Sequence, residues 1–387
     1  MKRVYLDHAA TSNPYPEVLD VMRKAWEEGY ANPSSVHREG QTARRMLEEG
    51  REAIANLLDC SSEELFFTSG GTESNNWALR SLWKMMQSQG SSNAHKRDHI
   101  IVSSIEHPSI LRTVKDLSDS GAKVTFLPVD FQGLISSESL ENALSPDTSF
   151  VSVMYANNEI GTVEPIKELG RICHEKGVLL HTDAVQAAGA MPISIRDLDC
   201  DLLSFSGHKF GGPKGIGGLF IRKGIDLPSF LTGGEQEYGH RAGTQNLSGV
   251  LGMAEALKIS TTDIEKKSAN IKAIRNHLIE EVLTNIPGSH LCGHPDLRLP
   301  GNAHFLFDDI DGEALLLYLN LAGFACSSGS ACSSGSTEVS HVLKALGISD
   351  QKARSALRIS IGYENTEEEV LSIVPELLRI ITDLRKR

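Results

Sequence analysis

The sequence predicts an α/β protein, with a large domain built on a mostly parallel sheet flanked by helices and a smaller α+β domain beside it. Three observations predict this. Between residues 65 and 222, short apolar runs alternate with amphipathic stretches, the pattern of strands covered on both faces by crossover helices. Polar side chains follow those runs one after another, at the carboxyl ends where open parallel sheets bind ligands. After Gly224 the composition shifts to a Gly-rich polar stretch, a long helical region and then sparser strand signals.

Taken in order, residues 1–14 are Pro-punctuated, with Asp7-His8-Ala9-Ala10-Thr11 in a loop. Val18, Leu19, Met22 and Trp26 recur at helical spacing and predict a helix over 15–29. Asn32-Pro33-Ser34-Ser35 breaks that pattern and supplies caps for a helix from about Val36 to Leu58. Strands are predicted at 65–68, 99–103, 124–129, 150–154, 178–182, 202–205 and 218–222. Helices are predicted after Thr72, at 110–118, around Leu140 and at 166–176. Residues 232–246 read as a long loop and 248–284 as one helical region, with the large domain ending inside it near residue 260. Strands at 303–307 and 357–361, with helices at 312–321, 338–346 and 367–384, complete the smaller domain. The predicted division is therefore 15–260 for the large domain and 1–14 with 261–387 for the small one. A small-residue repeat, Ala325-Cys326-Ser327-Ser328-Gly329-Ser330 followed by Ala331-Cys332-Ser333-Ser334-Gly335-Ser336, predicts a mobile loop at about 324–340.

A chain of 387 residues has room for two or three domains and a substantial core. Its net charge of -12 argues against nucleic acid, which calls for a surplus of Lys and Arg on one face. No apolar run has membrane-spanning length, and Met1-Lys2-Arg3 leads into Tyr5-Leu6-Asp7 and not into a signal-like apolar stretch, so a soluble cytoplasmic protein is expected. The six cysteines include no Cys-x-x-Cys pair and form a poor disulfide framework, which points to reduced thiols. Neither His-Glu-x-x-His nor paired Cys/His spacing occurs among the fourteen histidines, and no resident metal is expected.

The stretch Ser204-Phe205-Ser206-Gly207-His208-Lys209 sets a lysine on a turn at a strand end, ahead of a Gly-rich run. Desolvation there favours the neutral amine, the form that makes a Schiff base; a surface turn lysine is the plainer alternative. Ser69-Gly70-Gly71-Thr72 joins a strand to a helix and reads as a phosphate cradle or simply as a turn with a threonine N-cap. It is not a Walker loop, because Gly-Lys-[Ser/Thr] is missing. Asp183 ends a strand and suits a pyridinium nitrogen or caps the next helix. His107 follows another strand, where an imidazole stacks on a ring and moves protons, or merely turns the chain. Cys332, flanked by Ser and Gly that offer no apolar packing, is a candidate nucleophile. Arg358, in an alternating strand, has the fork for a carboxylate, or faces solvent.

Together these motifs resemble the cysteine desulfurases of the NifS/IscS type, within the class V aminotransferase family of pyridoxal-phosphate enzymes of fold type I. The resemblance spans the chain. It runs from Tyr5-Leu6-Asp7-His8-Ala9-Ala10-Thr11 through Asn32-Pro33-Ser34-Ser35, Thr68-Ser69-Gly70-Gly71-Thr72-Glu73 and Ala156-Asn157-Asn158-Glu159-Ile160-Gly161. It continues through His181-Thr182-Asp183-Ala184-Val185-Gln186, Ser206-Gly207-His208-Lys209 and Arg241-Ala242-Gly243-Thr244 to Ser327-Ser328-Gly329-Ser330-Ala331-Cys332 and Arg358. It implies that Lys209 carries pyridoxal phosphate, Asp183 pairs with the ring nitrogen, His107 stacks on the ring and Gln186 faces its phenolic oxygen. Gly71, Thr72, Ser206 and His208 are implied to hold the phosphate, with Thr244 reaching the neighbouring subunit of a homodimer. Asn158 and Arg358 are implied to hold the substrate carboxylate, with Asn32 grouped beside them. The implied reaction removes sulfur from L-cysteine, leaving alanine and a persulfide on Cys332. That sulfur then passes to an acceptor or Fe–S scaffold protein, and transient Fe–S contact through Cys332 is part of the same expectation.

Two departures stand out. Cys326 repeats the surroundings of Cys332; it is either a small inert residue at a strand end, or a residue that accepts the persulfide sulfur or protects Cys332 by disulfide. Gly211 stands where many relatives carry a bulky residue. The rival readings within the fold are a selenocysteine lyase and another class V aminotransferase-type enzyme; an aminotransferase needs no mobile cysteine, so the Cys332 loop argues against it. A non-enzymatic sulfur-transfer scaffold is the reading from another class, opposed by the presence of Lys209, Asp183, His107 and Cys332 together.

Overall fold

The computed structural model describes residues 3–89, 97–329 and 339–386. In chain order the elements are β1 (Val4–Tyr5), α1 (Pro16–Glu28), α2 (Arg38–Leu58), β2 (Leu65–Thr68), α3 (Gly71–Gln89), β3 (His99–Ser103), α4 (Pro108–Asp119), β4 (Lys123–Leu127), α5 (Ser137–Ala143) and β5 (Thr148–Ser152). Then follow α6 (Ile166–Glu175), β6 (Leu179–Asp183), α7 (Ile195–Leu198), β7 (Leu202–Ser206), β8 (Gly217–Ile221), α8 (Leu247–Thr261), α9 (Ile264–Asn285) and β9 (Ser289–Cys292). The chain ends with β10 (Asn302–Phe307), α10 (Gly312–Leu321), β11 (Phe324–Ala325), α11 (His341–Ala345), α12 (Asp350–Ala353), β12 (Leu357–Ser360), α13 (Glu367–Leu371) and α14 (Ile373–Arg385).

Seven strands form the large sheet in the order β2-β8-β7-β6-β5-β3-β4. Neighbours pair in parallel from β7 to β4, and β8 runs antiparallel to both β7 and β2. Two reversals leave β2 pointing the same way as β7, so the carboxyl ends of β2, β3, β5, β6 and β7 share one edge. Side chains alternate along each strand between two apolar layers. Phe67, Ile101, Val151, Leu180 and Leu203 meet α1, α2, α6 and α8 through Val18, Leu47, Ile172 and Leu257. Phe66, Ile100, Val102, Phe150 and Leu202 meet α3 and α4 through Trp77, Leu82, Ile110 and Val114. Burying each such side chain contributes roughly 1.5–3 kcal/mol, which makes this edge a rigid platform.

A second sheet, β12-β10-β9, is antiparallel, and β1 pairs in parallel with β11. Val4 and Leu6 join the apolar cluster under these strands with Phe305, Phe307, Leu357 and Ile359. The N-terminal segment then crosses from this cluster to the large sheet: Leu6 O accepts from Ser360 N at 2.8 Å, and Ser12 N donates to His208 O at 2.9 Å.

Several expectations are corrected. The second helix is capped not by the Asn32–Ser35 motif but by His37, whose Nδ1 accepts from Gly40 N at 3.2 Å. The helical region 248–284 is two helices, broken where Asp263 takes φ 53. The helix over 367–384 is likewise two, meeting at Ser372. Strands β1, β9 and β11 were not predicted; two of them have only two residues, too few to show a period. The described part of the predicted loose loop is anchored. Ala325 pairs with Tyr5, and the backbones of Ser327 and Arg358 bond in both directions at 3.3 and 2.6 Å. Gly211 also gains an account. Its φ is 81, and a Cβ there would lie 2.3 Å from the Tyr15 ring, so Tyr15 fills the space a larger residue would need.

Candidate active site

Lys209 follows β7 on a single 3-10 turn, Gly207–Lys209. Its Nζ donates to Ala9 O at 2.6 Å and Ala10 O at 3.0 Å, and Gln186 Nε2 donates to the same Ala9 oxygen at 3.0 Å. Lys209, Gln186 and the N-terminal crossing segment therefore converge. Next to Lys209, His208 Nδ1 lies 3.2 Å from Thr11 Oγ1; burial, then the charges of Lys209 and Lys214, push this imidazole down to about 4. It is neutral at physiological pH.

Across the same edge, Asp183 ends β6 and is buried. Its Oδ1 accepts from Val185 N at 2.9 Å and its Oδ2 from Asn75 Nδ2 at 2.7 Å. Two donors fix the plane of the carboxylate. Val185 leads back to the cradle, since a Cβ on Gly71 would stand 2.5 Å from Val185 Cγ2. Ser206 faces the same place: its Oγ is 3.6 Å from a Cβ position on Gly70, and its Cβ is 3.7 Å from one on Gly71. Thr68 and Ser206 both pair with Gly217, which aligns the ends of β2 and β7. The first-turn N–H groups of α3, from Gly71 and Thr72 onward, lack intrahelical acceptors by helix geometry and carry the positive end of the helix dipole. An anion fits there.

His107 caps α4. Its Nδ1 accepts from Ser109 N at 3.1 Å and lies 2.8 Å from Ser109 Oγ. Burial lowers its pKa; Asp183 opposes this, and Lys209 and His341 add to the lowering. The preceding Glu106 is fully buried, with Oε1 accepting from Met154 N at 2.6 Å. Burial drives its pKa well up, the Met154 N–H opposes this, and Asp183 and Glu164 push it further.

Arg358 was expected either as a fork for a carboxylate or as a solvent-facing strand residue, and the solvent-facing alternative is corrected. The residue is 1% exposed, with Nη2 donating to Asp7 Oδ1 at 2.7 Å and Nη1 donating to Asn158 O at 2.9 Å and Gly329 O at 3.2 Å. Asn158 and Arg358 are thus brought together, through the Asn158 backbone. A substrate carboxylate at Arg358 would replace Asp7 like for like. Asn32 is not drawn in: it lies in an exposed turn, where its Oδ1 accepts from Ser34 N at 2.9 Å. Among the described residues no hydrogen bond joins it to the Lys209 cluster. Thr244 is exposed in the loop 232–246. Cys332 lies outside the described residues. Cys326 follows β11 and packs against the cluster of the smaller sheet; burial, reinforced by Asp7, pushes its thiol up, away from the reactive thiolate. The packing role fits this setting, and the raised thiol disfavours the relay role.

Sequence reasoning missed the supports of the site. Glu73 joins Arg241 at 2.9 Å. Burial would raise the Glu73 carboxyl, but the Arg241 guanidinium and Ser69 outweigh it and hold it below its usual value. Arg51 and Glu237 form a second, fully buried pair at 2.8 Å, and Glu237 Oε2 also accepts from Phe67 N in β2. Both pairs tie the loop before Thr244 to the cradle, yet their partners stand 168 and 186 residues apart in sequence. Asn75, 108 residues from Asp183, was missed for the same reason. Only an Asn or Ser just after a strand-end motif hints at such a role, and it is a faint hint.

This edge, with a lysine, a fixed carboxylate, a capping histidine and a helix N-terminus, is the arrangement of a fold type I transferase. The sequence profile of the aminotransferase class-V family matches residues 4–373, and the chain belongs to that family. Among curated relatives, cysteine desulfurase IscS of Methanosarcina thermophila is 44% identical over 386 residues, covering 99% of this chain and 94% of that one. Cysteine desulfurase IscS of Dictyoglomus turgidum is 42% identical, covering 100% and 96%. Among solved structures, a NifS-like protein superposes with a TM-score of 0.90 at 37% identity, covering 98% of this chain and 99% of that chain. Another, described as SspA in complex with cysteine, gives 0.81 at 32% identity, covering 94% and 99%.

Proposed function

We propose that this chain is a cysteine desulfurase that uses pyridoxal phosphate to take sulfur from L-cysteine, leaving alanine. The observation that carries the reading is the convergence of Lys209, Gln186 and the N-terminal segment on the sheet edge that also presents Asp183, His107 and the Gly71–Thr72 cradle. The donor set fits the cofactor: a buried carboxylate oriented for a cationic ring nitrogen, a helix N-terminus with Ser206 for a phosphate, and an amine for the aldehyde carbon. Bound there, pyridoxal phosphate supplies an electron sink that acidifies the Cα–H of the amino acid it carries.

The chain's own residues do the rest. Arg358 and Asn158 hold the carboxylate of L-cysteine. Lys209 takes the Cα proton as a neutral amine. Cys332, as thiolate, attacks the substrate sulfur; the new S–S bond forms as the Cβ–S bond breaks, the electron pair stays with the carbon skeleton, and a proton delivered there completes alanine. His107 is the proton carrier. The Cys332 persulfide then yields its outer sulfur to a thiolate of an acceptor protein. Thr244, exposed on its pinned loop, completes the phosphate site of a second copy in a homodimer. Residues 15–260 form the cofactor-binding domain, and 1–14 with 261–387 the domain that handles the sulfur; the separate apolar clusters and the helix break at Asp263 support that division.

Turnover of L-cysteine, with alanine and sulfide measured together, tests the reading. Purified protein is expected to bind pyridoxal phosphate with a visible absorption band and, with dithiothreitol present to reduce the Cys332 persulfide, to release both products in equal amounts. Protein that stays colourless after the cofactor is added would sink the proposal.

A further inference from the structure

A chain of hydrogen bonds behind Asp183 reaches His107. Asn75, on α3 and 1% exposed, places Nδ2 2.7 Å from Asp183 Oδ2 and 2.9 Å from Ser109 Oγ. A carboxylate offers only acceptors, so the nitrogen of the Asn75 amide must face Asp183, and its second hydrogen goes to Ser109. The Ser109 hydroxyl, having accepted from Asn75, has its own proton free to donate, and His107 Nδ1 stands 2.8 Å away. The Ser109 backbone N–H points at the same nitrogen from 3.1 Å. Two donors on one ring nitrogen require a lone pair there.

We propose that Asn75 and Ser109 are positioning residues that lock His107 as the neutral tautomer with its proton on Nε2, through one hydrogen-bond chain anchored on the Asp183 carboxylate. An imidazolium would need an N–H at Nδ1, against the Ser109 backbone N–H. The other titratable groups facing the ring are Asp183 on β6, which favours the cation, and Lys209 beyond β7 and His341 on α11, which oppose it. Glu106, in the segment before His107, has its carboxyl pushed well up by burial and accepts from His341 Nε2 through its backbone oxygen at 2.9 Å. Burial of the ring acts in the same direction as the two donors. The consequence for turnover rests on the desulfurase reading, because a histidine held neutral with a known proton position is prepared to give that proton from Nε2 and recover it there. The tautomer itself does not rest on that reading.

The test is long-range 1H–15N correlation on 15N-histidine-labelled protein, with and without pyridoxal phosphate, His107 being assigned by comparison with His107→Gln. Wild type is expected to show Nε2 protonated and Nδ1 bare at neutral pH. Ser109→Ala removes a donor to Nδ1, and Asn75→Leu frees the Ser109 hydroxyl to turn and accept from an Nδ1–H. Each is expected to raise the imidazolium fraction at a fixed pH about tenfold, equivalent to one unit of pKa, and to admit the other tautomer. Ser109→Thr, which keeps the hydroxyl, is expected to behave as wild type. The acid limb of kcat for L-cysteine is expected to move up in pH in both disabling variants. A wild-type ring protonated at Nδ1 overturns the proposal whatever the variants do, and so does an unchanged titration and tautomer in both variants. The NMR changes without any turnover of L-cysteine in wild type would uphold this inference and overturn the desulfurase reading.

Discussion

Lys209 and Arg358 stand at the two ends of one short crossing segment, and they are held in different ways. Lys209 rests on the neutral carbonyls of Ala9 and Ala10. Arg358 is bound to the Asp7 carboxylate in a pair whose side chains are 2% and 20% exposed, with two carbonyls beside it. Charge-assisted bonds to a carboxylate are about twice as strong as those between neutral groups. The amine at the sheet edge is therefore ready to exchange partners, whereas the guanidinium exchanges only for another carboxylate. A site that binds a carbonyl carbon at one end and an amino-acid carboxylate at the other needs that difference.

The largest expected effect breaks the first half of the comparison. Lys209→Ala removes the amine, abolishes the visible band and lowers desulfurase activity by at least ~10²–10⁴-fold, measured by alanine release. The fold should survive, because the change leaves the apolar layers beneath the sheet edge intact. Arg358→Ala should instead leave the half-buried Asp7 carboxylate without its cation and cost about 1–3 kcal/mol in urea unfolding, with a raised KM for L-cysteine. Should the two variants show the reverse pattern, the contrast between them fails.

The strand-end residues Asp183, His107 and Lys209 were legible because each follows an apolar run of four or five residues in a parallel array. Once the runs are strands, their ends must meet on one edge. Arg358 was legible as a carboxylate binder but not as a buried ion pair, because Asp7 lies 351 residues away and reaches it through a parallel bridge between Asp7 and Ser360. Asn75 and Glu237 were silent in the same way. A polar residue on an amphipathic helix or in a Gly-rich loop looks solvated until tertiary packing brings its partner. The two-residue strands β1 and β11 carry no period at all, so the anchoring of Ala325 and Ser327 could not be read from a run of small residues.

A pH measurement sharpens the comparison, since the seven-stranded and three-stranded sheets each hold a fully buried histidine. His181 under the large sheet and His304 in the smaller one are both pushed down to about 3, in each case chiefly by burial. The unfolded chain takes up their protons below about 6.5 and the folded chain does not, so their contribution is complete above that pH and is lost as pH falls from about 6.5 toward 3. Urea midpoints measured across that range should fall steadily, and His304→Asn should flatten the decline. Gly211→Ala is expected to cost about 1–3 kcal/mol, from a positive φ and contact with the Tyr15 ring, and Tyr15→Ala should recover part of it. The smallest effect belongs to Cys326→Ser, expected to leave sulfide release and sensitivity to oxidants at wild-type levels; a loss in either would restore the relay role.

The central claim is a division of labour: the sheet edge makes the substrate's carbon acidic, and Cys332 collects the sulfur. Exchange of the L-cysteine Cα proton with deuterium from solvent separates the two steps. Holoenzyme carrying Cys332→Ser is predicted to exchange that proton at close to the wild-type rate while releasing neither alanine nor sulfide, and Lys209→Ala to do neither. Loss of exchange in Cys332→Ser, or undiminished alanine from it, would contradict the account.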